Sequence, residues 1–549
     1  MDHLLDKLPL YFHSVRYLKP IQVYGRVRNR MRKVRPDLSP APSLRKQAGM
    51  WTAGVRRPAR MSGPERFRFL NQTRNMPAAS DWNRADVEKL WLYNLHYFDD
   101  LNAEGGDDRR AWHTALIERW IHENRPGPGN GWEPYPVSLR IVNWIRYFLE
   151  GNAAQQSWVD SLAVQARWLK RQVEWHLLGN HLMANAKALV FAGVYFEGSE
   201  AESWRAEGVR ILDAQFGEQI LDDGGHFELS PMYHAIILED ILDLQNLARA
   251  YPGALPTGFV DRLASLAGPM LSWLEAMTHP DGEIALLNDS AFGISGTPAE
   301  IAGYGERLGF DKAPKESAVD FRESSGYIRL MCGEMVAFLD VGRIGPDYLP
   351  GHSHADSLTF EMSLFGERVI VDSGTSCYGT GEERLRQRGT AAHNTVEIDA
   401  ADSSEVWSGF RVARRAHPGP VSCREDDSGC VEVNGSHDGY RRLEGKPVHR
   451  RAFRSVPERF TVTDHIEGEF RQARAMFHLH PNVRAACLEE GGGAVLSLAG
   501  DREIRITVAG GECRLVETTW HPEFGVSLPS TGLLVRLTGP ELVTDFSWR

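Results

Sequence analysis

The spacing of apolar residues changes period partway along this 549-residue chain. From about residue 91 to about 308, apolar positions recur every three to four residues, as on a helix with one buried face. Segments 111–123, 137–150, 158–178, 181–196, 201–220, 233–251 and 260–278 carry that pattern. Short Gly/Pro/Asn connectors separate them: RPGPGNGWEPYP, LLGNH, LDDGGHFELSP and THPDGEIAL. After about residue 319 the period falls to two. YIRLMCGEMVAFLDVG, SLTFEMSLFGERVIVDSG, RRAFRSVPERFTVTDHIEG and GLLVRLTG alternate apolar and polar residues between Gly-rich turns, as half-buried strands do. The expected fold class is multidomain α + β, an N-terminal (α/α) toroid followed by a C-terminal antiparallel β-sandwich. A toroid is favoured over a simple bundle because polar, chemically capable residues gather in one set of connectors.

Three parts follow: a basic N-terminal extension with short helices over 1–90, the toroid over 91–315 and the sandwich over 320–549. No run of 18 apolar residues suggests a membrane span, and the first residues lack the apolar core of a secretory signal. The expected location is therefore cytoplasmic or inner-membrane-associated in a bacterium, or periplasmic. Net charge is −11, unevenly spread: residues 1–60 hold 14 Lys/Arg against Asp2, Asp6 and Asp37, net +11, leaving −22 on the rest. The acidic body argues against nucleic-acid binding. The basic, aromatic-containing extension suits peripheral contact with an anionic membrane surface or with a polyanion, or lies as a solvated arm along the surface. Six scattered cysteines with no CxxC pair read as reduced thiols.

Candidate chemistry concentrates in three places. GHSHADSLTFEMSLFGERVIVDSG, followed by AAHN, brings His352, His354, Asp372 and His393 together. On a strand, i and i+2 share a face, so His352 and His354 are expected to point into one cleft. Imidazole and carboxylate serve both as zinc ligands and as acid/base groups. LLGNH offers Asn180, with the character of an N-cap, and His181. DDGGHFELSPMYH groups His226, Glu228, Tyr233 and His234 around a Ser-Pro helix start, and GNGWEPYP adds Trp132, Glu133 and Tyr135 as an aromatic and charged wall. Arg384, Arg386 and Arg388 lie between Asp372 and His393 and are candidates to grip carboxylates or sulfates.

Taken in order, GNH (179–181), SPMYH (230–234), LNDSAFG (287–293) and GHSHAD–VDSGT–HNT resemble the heparinase II/III-like polysaccharide lyases, a group related to alginate and oligoalginate lyases. The resemblance covers roughly residues 90–480. It implies β-elimination at a 4-linked uronic acid by a carbon–oxygen lyase acting on an anionic polysaccharide such as a glycosaminoglycan. Asn180 and His181 would neutralise the uronate carboxylate. Tyr233 and His352 would be the acid/base pair, with the choice of base left open. Trp132, Glu133, Tyr135, His234, Arg384 and Arg388 would contact substrate. His354, Asp372 and His393 would hold a structural Zn2+ behind the cleft.

Two other readings compete. A glycoside hydrolase would need a carboxylate pair, from Glu133, Glu228 or Asp223. A non-catalytic component of a cell-surface polysaccharide system would need neither. The chain is expected to be a monomer or homodimer.

Overall fold

The computed structural model describes residues 7–311, 317–427, 429–488 and 491–549. Two helices open the chain, α1 (Leu8–Val15) and α2 (Pro20–Met31). A small three-stranded sheet follows over Met61–Gly63, Arg66–Phe69 and Gln72–Asn75. Its period-two RFRF segment falls in the stretch expected to hold only short helices. Burial of Phe67 and Phe69, with Phe69 edge-on to Trp91 at 5.1 Å, turns it into a strand against the toroid.

The toroid is built from α3 (Lys89–Tyr97), α4 (Arg110–Glu123), α5 (Pro134–Leu149), α6 (Gln156–Arg171), α7 (Gly179–Tyr195), α8 (Ser199–Gln219), α9 (Pro231–Ala250), α10 (Thr257–Ala276) and α11 (Pro298–Arg307). Proline at the first helical turn starts α5, α9 and α11, where its missing N–H costs nothing. Ser230 caps α9, its Oγ accepting from the Tyr233 N–H at 3.1 Å. No helix among the described residues is long and apolar enough to cross a membrane.

The β half consists of antiparallel sheets. A five-stranded meander runs Val319–Arg322, Tyr327–Cys332, Met335–Asp340, Phe360–Leu364 and Glu367–Ile370. An eight-stranded sheet has Val448–Val456, Arg459–Glu467 and Glu541–Trp548 at its middle, and a four-stranded sheet includes Ala473–His478 and Leu528–Leu537. Alternate residues of Arg459–Glu467 are buried, which is the period of two read from the sequence. Phe360 joins the sheets, its ring 5.6–6.3 Å from Phe453, Phe460, Phe477 and Phe546. The described cysteines are free thiols.

The two halves are bonded directly. His279, after α10, meets Glu361 and Ser363 at 2.7 Å each. The Tyr327 hydroxyl donates to Leu229 O at 2.6 Å, so a strand of the meander fixes the turn that leads into α9. A third piece, α12 (Glu382–Arg388), lies beside the GHSHAD loop.

Candidate active site

Two helices aim their first turns at the junction of the halves. Before α7, Leu178 (φ 65°) and Gly179 (φ 53°) are both left-handed. A Cβ on Gly179 would lie 2.3 Å from Leu349 Cδ2 and 2.9 Å from Glu228 Oε1, so glycine is required there. The N-cap position is Leu178, not Asn180. Asn180 sits one residue inside the helix, which frees its side chain for the cleft, while its N–H donates to Glu228 Oε1 at 3.3 Å. His181 packs on Tyr135, rings 4.4 Å apart, and its Nδ1 meets Glu174 Oε2 at 3.2 Å. Burial opposes the His181 cation, but Glu174 outweighs it and holds the pKa above the ordinary histidine value.

The turn before α9 repeats the device: Leu229 is left-handed (φ 58°). Tyr233 stands in the first turn, its hydroxyl 2.9 Å from that of Tyr378. Burial pushes the Tyr233 phenol well above its ordinary pKa, and Tyr378 adds to the shift. From the β half, the His352 ring stacks on Tyr233 at 3.9 Å and 13°. His352 Nδ1 is hydrogen-bonded to Glu228 Oε2. Burial disfavours the Glu228 carboxylate, yet His352 holds its pKa below the usual range. These groups open on a cavity of about 510 Å³, whose wall includes Lys89, Tyr93, Tyr135, Asn180, His181 and Phe410. Among the described residues Glu88 is the one carboxylate lining it.

Four of the expected catalytic residues, Asn180, His181, Tyr233 and His352, therefore meet at one cavity, with Tyr135 beside them. Other expectations are corrected. The segment around His352 and His354 is loop, not strand, and the two imidazoles diverge. His354 is fully buried, its Nε2 2.8 Å from Asp289 Oδ1. Trp132 is a core residue between Trp120 and Trp168, ring centroids 5.5 and 5.9 Å away. His234 is also enclosed: its Nε2 donates to Met270 O at 2.9 Å, and burial lowers its pKa to about 3. Arg384 is fully buried in a two-pronged pair with Asp289. Arg388 is spent on the loop carbonyl Ser353 O, at 2.8 and 3.0 Å. Neither arginine reaches the cavity. Glu133 stands behind the wall, 3.0 Å from Lys89 Nζ and hydrogen-bonded to the Tyr93 hydroxyl.

Glu228, Tyr378 and Glu174 were not assigned roles from the sequence as an orienting carboxylate, a phenol partner and a His181 partner. Only Glu228 carried a signal, an acidic residue in a connector two positions before the Ser-Pro helix start.

The expected zinc ligands do gather. His393 Nδ1 meets Asp372 Oδ2 at 2.6 Å, and the His354 and His393 rings are 5.2 Å apart. His354 Nδ1, His393 Nε2 and both oxygens of Asp356 are buried without a partner. The donors suit zinc in kind. Among the described residues, however, no three His, Cys, Asp or Glu side chains are arranged as a metal-holding set.

The fold, a helical toroid joined to an antiparallel sandwich, is shared with solved lyase structures. Heparinase III aligns with TM-score 0.69 at 21% identity, over 85% of this chain and 79% of that one. The heparan sulfate lyase HepC from Pedobacter heparinus aligns at 0.59 and 18%, over 96% and 87%. At such identities the likeness is one of fold. Residues 26–298 match the family described as heparinase II/III N-terminus, and 314–549 match heparinase II/III-like, C-terminal. The chain belongs to the heparinase II/III-like family. Among named relatives, a heparin-sulfate lyase of Bacteroides stercoris is 27% identical over 388 residues, 60% of this chain and 56% of that protein. A heparin-sulfate lyase of Bacteroides thetaiotaomicron is 27% identical over 350 residues, 53% and 48%. The chain spans about half the length of these relatives.

Proposed function

We propose that the protein is a polysaccharide lyase that cleaves a uronic-acid-containing glycosaminoglycan or similar anionic polymer by β-elimination. The observation that carries this reading is His352, held by Glu228 at Nδ1 and stacked on Tyr233 at a cavity whose described lining residues include no carboxylate pair. The relatives' activity as heparin-sulfate lyases supports it.

β-Elimination removes the C5 proton and breaks the C4–O bond, so an enolate-like dianion must be stabilised in between. Donors preorganised for that charge supply the largest rate effect, about 10²–10³ for a single one. Asn180 donates without titrating, and His181 stands beside it with its cationic form favoured by Glu174. Both sit in the first turn of α7, where the helix dipole also favours an anion. Tyr233 has its pKa raised by burial, so it enters the reaction as a neutral phenol and serves as acid to the leaving oxygen. His352 is then the base at C5. Glu228 takes Nδ1, leaving Nε2 for the substrate. Tyrosine and phenylalanine faces at Tyr93, Tyr135, Tyr378 and Phe410 suit the apolar faces of sugar rings.

A hydrolase is disfavoured because its candidate carboxylates are committed elsewhere. Glu228 binds His352, Glu133 binds Lys89, and Asp223 accepts from the Ser325 N–H at 2.7 Å. The test is incubation with a panel of uronic-acid polymers. Rising ultraviolet absorbance from the new double bond is the expected result, and cleavage without it would reassign the protein to hydrolysis.

The zinc reading also stands as a proposal for His354, Asp372 and His393, supported by the two buried imidazole nitrogens without partners. A bound zinc would tie the loop behind His352 to the sandwich and take no part in the reaction. Metal analysis of purified protein tests it: stoichiometric zinc is expected, and its loss should lower the melting temperature.

A further inference from the structure

The N-terminal helices show a surface unlike the rest of the molecule. Of the 14 exposed large hydrophobic side chains among the described residues, ten lie between Leu8 and Leu38. They are ordered. On α1, Leu8, Phe12 and Val15 follow i, i+4, i+7 spacing. On α2, Tyr24, Val27 and Met31 continue from Pro20 at i+4, i+7 and i+11, so each set forms one stripe. Phe12 is 66% exposed, Tyr24 62% and Met31 79%.

The opposite face of α2 is the one that docks. Gln22 and Gly25 are buried, Gln22 Nε2 donates to Tyr348 O at 3.2 Å, and Asn29 Nδ2 donates to His176 Nδ1 at 2.9 Å. A Cβ on Gly25 would lie 2.9 Å from His176 N, so the helix backbone rests directly on the body. On α1, Ser14 Oγ accepts from Trp407 Nε1 at 3.0 Å, and Tyr11 meets the same indole edge-on at 4.8 Å. The apolar stripes are thus held outward by specific contacts on the other side.

Charge identifies what covers them. Residues 7–36 hold nine Lys/Arg and no Asp or Glu. Arg26, Arg28, Arg30 and Lys33 form no ion pair with any described residue, and Arg28 and Arg30 flank the α2 stripe. Two copies of so basic a face would repel each other, which argues against self-association. A soluble polyanion would answer the cations but leave the stripe wet. A stripe of Phe, Tyr, Val and Met rimmed by arginine matches a helix that lies in the headgroup region of an anionic bilayer. We propose that α1 and α2 form a membrane-surface docking platform for anionic lipid. Docking leaves the cleft open, because α1 and α2 sit on the far side of the Tyr348–Gly351 stretch from His352 and do not line the cavity.

The test is sedimentation of the full chain with phosphatidylcholine vesicles, with and without phosphatidylglycerol. Binding at least roughly tenfold tighter to the anionic vesicles is expected, weakening as salt rises. The triple variant Phe12→Ser, Tyr24→Ser, Val27→Ser should lose binding by roughly tenfold or more with unchanged melting temperature. Arg26→Gln, Arg28→Gln, Arg30→Gln should erase the preference for anionic lipid. No binding to anionic vesicles overturns the proposal. So does full binding by the serine variant, or binding of a soluble uronate polymer at these residues in place of vesicles. Vesicle binding is read separately from elimination, so either proposal can fail alone.

Discussion

In front of the 351–356 loop, His352 has one carboxylate, Glu228, an aromatic face, Tyr233, and an open side. Behind the same loop, His354 has no access to water, meets Asp289, and shares that carboxylate with Arg384. Burial drives the His354 pKa down to about 3, so it stays neutral. The residue type is the same, yet one imidazole lines the cavity and the other is part of a buried scaffold. The difference comes from the loop conformation, which Arg388 fixes through Ser353 O. A buried carboxylate bonded to a cavity-lining imidazole can orient a reacting group; one bonded to an imidazole closed off behind the loop serves as a structural anchor.

This division can be broken by variants. The largest effect is expected in front. Tyr233→Phe should lower kcat/KM by about 10²–10⁴ with the melting temperature little changed, read by ultraviolet assay and calorimetry. A matching loss of stability would erase the distinction. Behind the loop, Arg384→Met leaves Asp289 buried without its cation and should cost about 3–5 kcal/mol of stability, read by denaturant titration. Activity per folded molecule should change far less. Glu228→Gln lies between the two and should lower kcat on the order of 10² with KM little changed, because the substrate still binds while His352 loses its orienting carboxylate.

The smallest effect is a displacement of pH dependence. Glu174 raises the pKa of His181, so the His181 cation contributes stability and carboxylate binding at low pH, and both are lost as pH rises through the raised folded value. Glu174→Gln removes the support. The alkaline limb of kcat/KM should therefore move to lower pH, and a limb that stays in place would remove His181 from carboxylate binding.

Much of the helical half was legible because each helix buries one face. Segment 233–251 corresponds to α9 and 181–196 to α7 within about two residues. Segment 158–178 ended early, at Arg171. Its apolar run continues, but the Glu174 N–H is taken by Asn185 Oδ1 at 2.8 Å, and Leu178 turns left-handed. The motif residues Asn180, His181, Tyr233 and His352 were singled out as candidates from their place in connectors, and the structure brings all four to one cavity. Arg384 and Arg388 were misread because a charged residue in a Gly-flanked loop looks exposed, and nothing local reveals that Asp289 lies 95 residues away to receive it. Glu228 was noted without its role as the partner of His352, and Tyr378 was not noted at all, for a related reason: their contacts lie 124 and 145 residues distant.

Leu178 and Leu229 carry a final consequence. A left-handed leucine costs about 1–2 kcal/mol, and glycine would remove that cost. Both side chains are nevertheless sunk in core, at 5% and 2% exposure, where deletion of a leucine to a small residue costs about 2–5 kcal/mol. Backbone and side chain thus make opposed demands at the two gateways to the cleft, and the side chain prevails. Glycine at these two positions would relieve the backbone but loosen the setting of Asn180 and Tyr233.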